Sequence, residues 1–418
     1  MDARRTTRTP TASPRPVRPM RPSRRFRSLR PVLVLLVALG LAGGCIGGGD
    51  GGGGSTTAQD EPAAPAGSDS GPCPQNVVIQ TDWFPQVEHG GTYQLIGTGG
   101  RIDKDRFTYS GPLRNRYKGA HGVQTIEIRA GGAAVDSQSV TSLMYQDEDI
   151  TLGFVNTDDA ISASLDDEPV VGVVGSLDVN PQMLMWSPAR LNITEFKDLG
   201  RSRVPVLHFP GMTYVDYLVA QGILTADQPD ATYDGSPDRF IAAKGEVIQQ
   251  GFATNEVYSY TDVLEGWKRP VDFFLIHWMG YENYPAMMTV RADRLAQQSE
   301  CLKALVPTLQ RAWVDFLADP AAVSAELITI NDTFNTFFKL TPALNDRALQ
   351  IFSEFELATN GADDTYGNFD TARVGRLFDI VSGVMKERGR ALPATLSAED
   401  VATNAFIDPA VSLPVATS

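Results

Sequence analysis

Three cysteines and four histidines in 418 residues leave little material for metal chemistry. The histidines are scattered and the cysteines isolated, so a structural zinc site is excluded as an organising feature. Long apolar runs are also missing. "PVLVLLVALGLA" is uncharged over twelve residues, too short to span a bilayer comfortably, and no later segment is long and apolar enough to cross one. Basic residues are scarce outside the N-terminus: ten of the 36 lysines and arginines, but one of the 50 acids, lie in residues 1–44. The remainder carries 26 basic against 49 acidic residues, a formal charge of −23. Such a balance provides no surface for tracking phosphates and argues against nucleic acid as a partner.

What is present begins with processing signals. The arginine-rich start followed by the short apolar run reads as a secretion signal over residues 1–44. "AGGC" then resembles the lipobox of bacterial lipoproteins, which implies cleavage before Cys45 and diacylation of that cysteine, an extracytoplasmic protein lipid-anchored to the cell membrane. Residues 46–72, "IGGGDGGGGSTTAQDEPAAPAGSDSGP", have almost no large apolar side chain and read as a flexible tether. Beyond it only Cys73 and Cys301 remain, which in an oxidising compartment either pair across distant sequence or stay free.

From Cys73 onward the chain exceeds the usual size of a single core. "NVVIQTDW", "VQTIEIRAGG", "DITLGFVNT" and "PVVGVVGSLD" read as strands, separated by helical stretches beginning "GGTYQLIG", "SQSVTSLMYQ" and "DDAISASLDD". Strand and helix in alternation predict parallel βαβ units and a doubly wound sheet. Residues 97–122, polar and glycine-rich, read as a surface insertion. A second series starts near Asn180: strand "NPQMLMW", a short helix entered through Thr194, strand "RVPVLHF", then a helix with Thr213 and Asp216 as a capping box. After about Leu295 the apolar spacing is helical.

The motifs "DWFPQVEHGGTY", "IEIRAGG", "GFVNTDDAI", "DLG...VPVLHFPGMTYVDYL", "QQGFATNEVYSY", "IHWMGYENYP" and "ATNAFIDP", in that order, resemble the substrate-binding proteins of ABC importers. The resemblance is to the family of sulfonate, taurine, nitrate and thiamine-pyrimidine binders. It implies a type II periplasmic-binding-protein fold of the α/β class: two doubly wound lobes joined by a hinge, with a mainly helical C-terminal part. The implied division is lobe 1 over 73–178, lobe 2 over 179–272, and a return to lobe 1 with the C-terminal helices over 273–418. The partners implied are a small-molecule ligand, a permease and an ATPase. The receptor would be a monomer, without cofactor and without catalysis.

In such sheets ligands sit beyond the carboxyl ends of the strands. This places Asp82, Trp83, His89 and Gly90 in the cleft after the first strand, with the Gly90-Gly91 pair leaving helix N–H groups accessible. Asn156 and Asp158 follow another strand, Thr213 enters from the opposite lobe, and Asn255, Glu256, Tyr258 and Tyr281 complete the set. Acids with no basic residue in these motifs favour a ligand that donates hydrogen bonds, and the rings offer stacking faces. A thiamine-precursor aminopyrimidine or related N-heterocycle meets both demands, and in thiamine-pyrimidine binders the glutamate of "TNE", here Glu256, is expected to hold the ring. The alternatives are a sulfonate- or nitrate-type anion or a flavin-like ring. Each residue also has a plainer reading: Asp82 as a helix cap, His89 as a packing histidine, Trp83 and Tyr281 as core rings, Glu256 as a surface ion pair. A thiamine-pyrimidine-synthase-like enzyme is a rival of another class. Against it, Pro85 stands where that enzyme has lysine, and its cysteine-rich iron site is missing.

Overall fold

The computed structural model describes residues 70–414, so the secretion signal, Cys45 and nearly all of the tether lie outside the described residues. The first sheet is built from β1 (Asn76–Gln80), β2 (Arg101–Asp103), β3 (Thr108–Pro112), β4 (Thr125–Arg129), β5 (Ile150–Val155) and β6 (Val170–Val174). The chain then forms the second sheet from β7 (Gln182–Trp186), β8 (Val206–Leu207), β9 (Pro229–Asp230), β10 (Ile248–Phe252) and β11 (Asp272–Leu275). It returns to give the first sheet one more strand, β12 (Met287–Arg291). Two sheets linked by two crossings make the two-lobed periplasmic-binding-protein architecture.

Strand order is β2-β3-β4-β1-β5-β12-β6 in the first sheet and β11-β7-β10-β8-β9 in the second. The parallel centre β4-β1-β5 has its counterpart in β10-β8-β9. The sheets are nevertheless mixed, because β7 and β12, which follow the two crossings, enter antiparallel to their neighbours. The apolar runs explain the placement of the central strands. Every residue of β5, β6 and β7 is buried, as strands covered on both faces require.

Three local expectations are corrected. The 97–122 segment is no detached insertion: β2 and β3 form a hairpin that extends the first sheet, and Tyr109 buries its ring on Tyr93 with centroids 6.0 Å apart. The helix after β1 is a single turn, Gly90–Tyr93, since Ile96 is already drawn into a bridge with Leu113. Thr213 does not cap its helix. It is the first residue of Thr213–Ala220, and its hydroxyl bonds elsewhere.

The C-terminal part is helical, with Leu295–Ala318, Ala321–Phe334, Pro342–Glu354 and Thr371–Glu387. Cys73 and Cys301 form a disulfide that ties the start of the body to the first of these helices, with Cα atoms 4.6 Å apart. Each of the two continuous apolar clusters contains residues of both sheets, Val77 with Met183 in one and Val78 with Leu184 in the other. Apolar packing therefore runs on from lobe to lobe. Among the described residues, no helix is long and apolar enough to cross a membrane.

Candidate functional site

The segment after β1 turns back so that Asp82 Oδ1 lies 2.7 Å from Nε2 of His89. His89 is fully buried, and its Nδ1 has no partner. Asp82 caps no helix, because the short turn Val87–His89 has Gln86 at its cap position and no side-chain cap. Trp83 is partly buried and meets Phe84 and Phe337 edge to face, with centroids 5.9 and 6.2 Å away. Gly90 has a packing role in place of the accessible N–H expected of it. Its N–H donates to Val87 O, and a Cβ there would lie 2.1 Å from the Phe316 ring.

One residue before His89, Glu88 is the acid that the sequence reading missed. It is buried, and Thr254 of the second lobe donates its hydroxyl to Oε1. Burial pushes the Glu88 carboxyl up, the Thr254 bond and His89 oppose this, and the charge of Asp82 adds to it. Glu256 follows β10 on the facing lobe. Its Oε2 accepts the Phe252 N–H at 2.7 Å, and the side chain folds against Gly251, where a Cβ would be 3.0 Å from Cγ. Burial raises Glu256 to about 7, with the like charge of Glu88 in the same direction and the Phe252 N–H and Tyr233 hydroxyl against it. These partners are a backbone amide and a phenol, so Glu256 is not held in a surface ion pair. Asn255 accepts from Ser259 Oγ at 3.1 Å, and Tyr258 lies half-buried on the apolar cluster.

At the other end of the gap, Asp158 has three donors. Tyr281 Oη donates at 2.9 Å, Asn283 Nδ2 at 2.8 Å, and Thr213 Oγ1, from the second lobe, at 3.2 Å. The Thr213 and Tyr281 hydroxyls also lie within bonding reach of each other, so one of their two protons is shared between that contact and Asp158. Tyr281 is fully buried beside Tyr217 and Tyr214, with centroids 5.5 and 6.4 Å away, and burial raises its hydroxyl well above the usual range. Asn156 accepts the Ala286 N–H at 3.0 Å and donates to Asp159 at 2.9 Å. Surrounding protein, then the charge of Asp158, push Asp159 up to about 7, although the residue's outer face is open to solvent.

Asp82 links the two ends, since its charge raises both Glu88 and Asp159. Electrostatics thus tie Glu256 to Glu88, Asp82 to both Glu88 and Asp159, and Asp159 to Asp158, with the imidazole of His89 as the basic group acting on Glu88. The three candidate rings do not gather over it: Trp83 belongs to the Phe84–Phe337 group, Tyr281 to the tyrosines of Thr213–Ala220, and Tyr258 to the core. The lobes are closed on each other here. The cavity between Glu88, Thr254, Asn255, Phe338 and Leu344 measures about 10 Å³, the scale of one water. Among the described residues no group of three or more His, Cys, Asp or Glu is disposed to hold a metal ion.

No protein-family model and no curated protein matches the chain. Several solved structures are similar to it. One is the alkanesulfonate-binding protein SsuA from Xanthomonas axonopodis pv. citri bound to MOPS, at 12% identity over 79% of this chain and 99% of that one, with a TM-score of 0.49. Another is the ligand-binding component of an ABC-type import system from Staphylococcus aureus with zinc bound, at 12% identity over 81% of this chain and 100% of that one, TM-score 0.49. A third is the periplasmic nitrate-binding protein NrtA from Synechocystis PCC 6803, at 13% identity over 79% and 87%, TM-score 0.46. These neighbours are binding proteins of the kind the sequence motifs resemble, and likenesses this distant carry no argument about the ligand of this chain.

Proposed function

We propose that the chain is a lipid-anchored extracytoplasmic receptor of an ABC importer, whose two lobes close around a small hydrogen-bond-donating N-heterocycle of the thiamine-precursor aminopyrimidine kind. The observation that supports this reading is the pair Glu88 and Glu256, one from each lobe, both raised by burial, with the like charge of Glu88 adding to the rise of Glu256. A ring with several N–H donors relieves the repulsion of such a pair as the lobes meet. An anion buried beside Glu88 and Glu256 would add a further like charge, at a cost of several kcal/mol. Contacts that are complete only when both lobes touch the ligand drive closure, because equal affinity for open and closed forms shifts nothing. The closed form then docks on a permease and its ATPase. No bond is made or broken and no cofactor takes part.

Native mass spectrometry of freshly purified protein, followed by calorimetry with the compound identified, tests the reading. A co-purifying N-heterocycle is expected, and Glu256→Ala should weaken its binding by about 1 to 3 kcal/mol through loss of a charged hydrogen bond. A mass matching a sulfonate or nitrate, or unchanged affinity in the variant, overturns it.

A further inference from the structure

Helix Thr371–Glu387 touches both lobes, packing on Thr157–Ala163 of the first and on Thr213–Ala220 of the second. Just past its far end Arg388 adds a polar contact to the second lobe, Nε to Asp216 at 2.9 Å. Its near end is held differently. There Arg373, almost fully buried, donates to Asp178 O and Glu282 O at 2.6 Å and to Asn283 O at 2.9 Å, with its guanidinium 3.7 Å from the centre of the Tyr284 ring. The Asp370 N–H, one residue before the helix, donates to the Tyr284 hydroxyl at 2.8 Å. Asp178 lies in the first crossing between the lobes, and Glu282 to Tyr284 lie in the second. One side chain therefore binds both.

The neighbouring bonds show where each crossing passes from one lobe to the other. In the first, Gly175 donates to Gly367 O, and Asp178 and Val179 donate to Leu357 O, at 2.7 to 3.2 Å, all within the first lobe. Two residues on, Pro181 O accepts the Ala253 N–H at 2.9 Å and Gln182 opens β7, so the chain is already in the second lobe. Asn180 lies between, its Oδ1 accepting from Gln182 N and its Nδ2 donating to Asn283 Oδ1, both at 2.8 Å. In the second crossing, Ile276 N donates to Gln182 O at 2.9 Å and Met279 O accepts the Tyr217 hydroxyl at 3.3 Å, both second-lobe partners. Tyr284 exchanges bonds with Thr157 of the first lobe at 3.0 and 3.1 Å. Between these, Gly280 stands at φ +93°, a conformation that side chains disfavour. Tyr281 touches both sides, its ring on Tyr217 and its hydroxyl on Asp158.

We infer that the lobes turn about Asn180 and Gly280–Tyr281, and that Arg373 is the positioning residue that confines the turn there by holding the rest of both crossings on the first lobe. The second lobe then runs from 180 to 280 in place of 179–272, and residues 273–279 travel with it. Helix Thr371–Glu387 stays with the first lobe. Its packing on Thr213–Ala220, the Arg388 contact and the Thr213 bond to Asp158 are what part. The inference rests on the two-lobe closure proposed above and not on the identity of the ligand.

Thr254 and Gln86 line the small cavity at the other end of the gap from opposite lobes, so Thr254→Trp and Gln86→Trp each wedge it open. Crystal structures of the two full-length variants and the wild type are superposed on the first sheet. Backbone rotation is expected at 180 and 280–281, with 175–179, 282–286 and 371–387 in place. Rotation at 272–276, or a helix that moves with the second lobe, overturns the hinge alone. Lobes that stay together in both variants remove the receptor reading with it. Arg373→Lys keeps the charge and loses the fork. Hydrogen exchange of the full-length variant should rise about tenfold in 175–179 and 282–286 and match the wild type in 213–220. An equal rise in both lobes would make Arg373 a general stabiliser, and no rise would mean that the crossings are held without it; either outcome removes it from the hinge.

Discussion

At both ends of the interlobe gap a threonine of the second lobe donates its hydroxyl to a carboxylate of the first, yet the two carboxylates sit in opposite surroundings. Asp158 receives Thr213, Tyr281 and Asn283, three donors on one buried group. Glu88 receives Thr254, is favoured by His89, and carries the like charge of Asp82 while itself raising Glu256. A carboxylate with its donors in place is part of the fold. A carboxylate raised by burial and by a neighbouring like charge has a protonation state that its surroundings decide. On the proposed function, the difference separates a structural acid, Asp158, from Glu88 and Glu256.

The sharpest way to break the comparison is to remove the satisfied member. Asp158→Ala leaves the Tyr281 and Thr213 hydroxyls and the Asn283 amide buried without their common acceptor. We expect a loss of about 3 kcal/mol in stability, measured by urea unfolding. A loss below about 1 kcal/mol would mean that these donors find other acceptors and that Asp158 is no more structural than Glu88.

The Glu88–Glu256 end should instead reveal itself through pH. Glu256 is raised in the folded protein from its ordinary value to about 7, so its protonated form is favoured by folding. The stability this contributes is complete below the unfolded value near 4.5 and is lost as pH rises through about 7. His277 works in the opposite sense: burial and Arg373 lower it to about 4, so its contribution is complete above its ordinary value and lost as pH falls toward 4. The comparison of variants isolates the glutamate. Between pH 5 and 8 the wild type should lose about 2 kcal/mol relative to Glu256→Gln, with the curves converging at the acid end. Parallel curves would show that Glu256 titrates normally and has no special place in the gap.

How much of this was legible beforehand follows from the range of the interactions. Central strands announced themselves through buried apolar runs such as "ITLGFV" and "VVGVV", and the change of series near Asn180 marked the crossing to the second sheet. The position of Asp82, Asn156 and Asp158 behind strands followed from the same runs. Glu88 was not legible, because its importance comes from Thr254, 166 residues away, and exists only when the lobes meet. Arg373 is a similar case: its guanidinium serves carbonyls 90 to 195 residues distant, and a carbonyl leaves no trace in residue type. The 97–122 hairpin was hidden by its glycines and charges, since an edge strand half open to solvent lacks the apolar run of a central one. Thr213 showed the helix-start pattern, but its hydroxyl was taken up across the gap, where a buried carboxylate offers a stronger acceptor–donor pair than its own helix.

The smallest expected effect is the finest test of whether the Asp158 end works as a shared set. Tyr281→Phe keeps the ring between Tyr214 and Tyr217 and removes one hydroxyl, leaving Asp158 with Asn283 and Thr213. One net hydrogen bond amounts to about 1 kcal/mol, well below the loss expected for Asp158→Ala, and urea unfolding of both variants side by side resolves the two. If the phenylalanine variant is as damaged as the alanine one, Tyr281 alone carries the junction and the other donors are bystanders. If it loses nothing, Asp158 is saturated by two donors, and the third hydroxyl is free to turn into the gap when the lobes separate. The first outcome would make this end as dependent on a single bond as Glu88 is on Thr254, and the contrast between the ends would disappear.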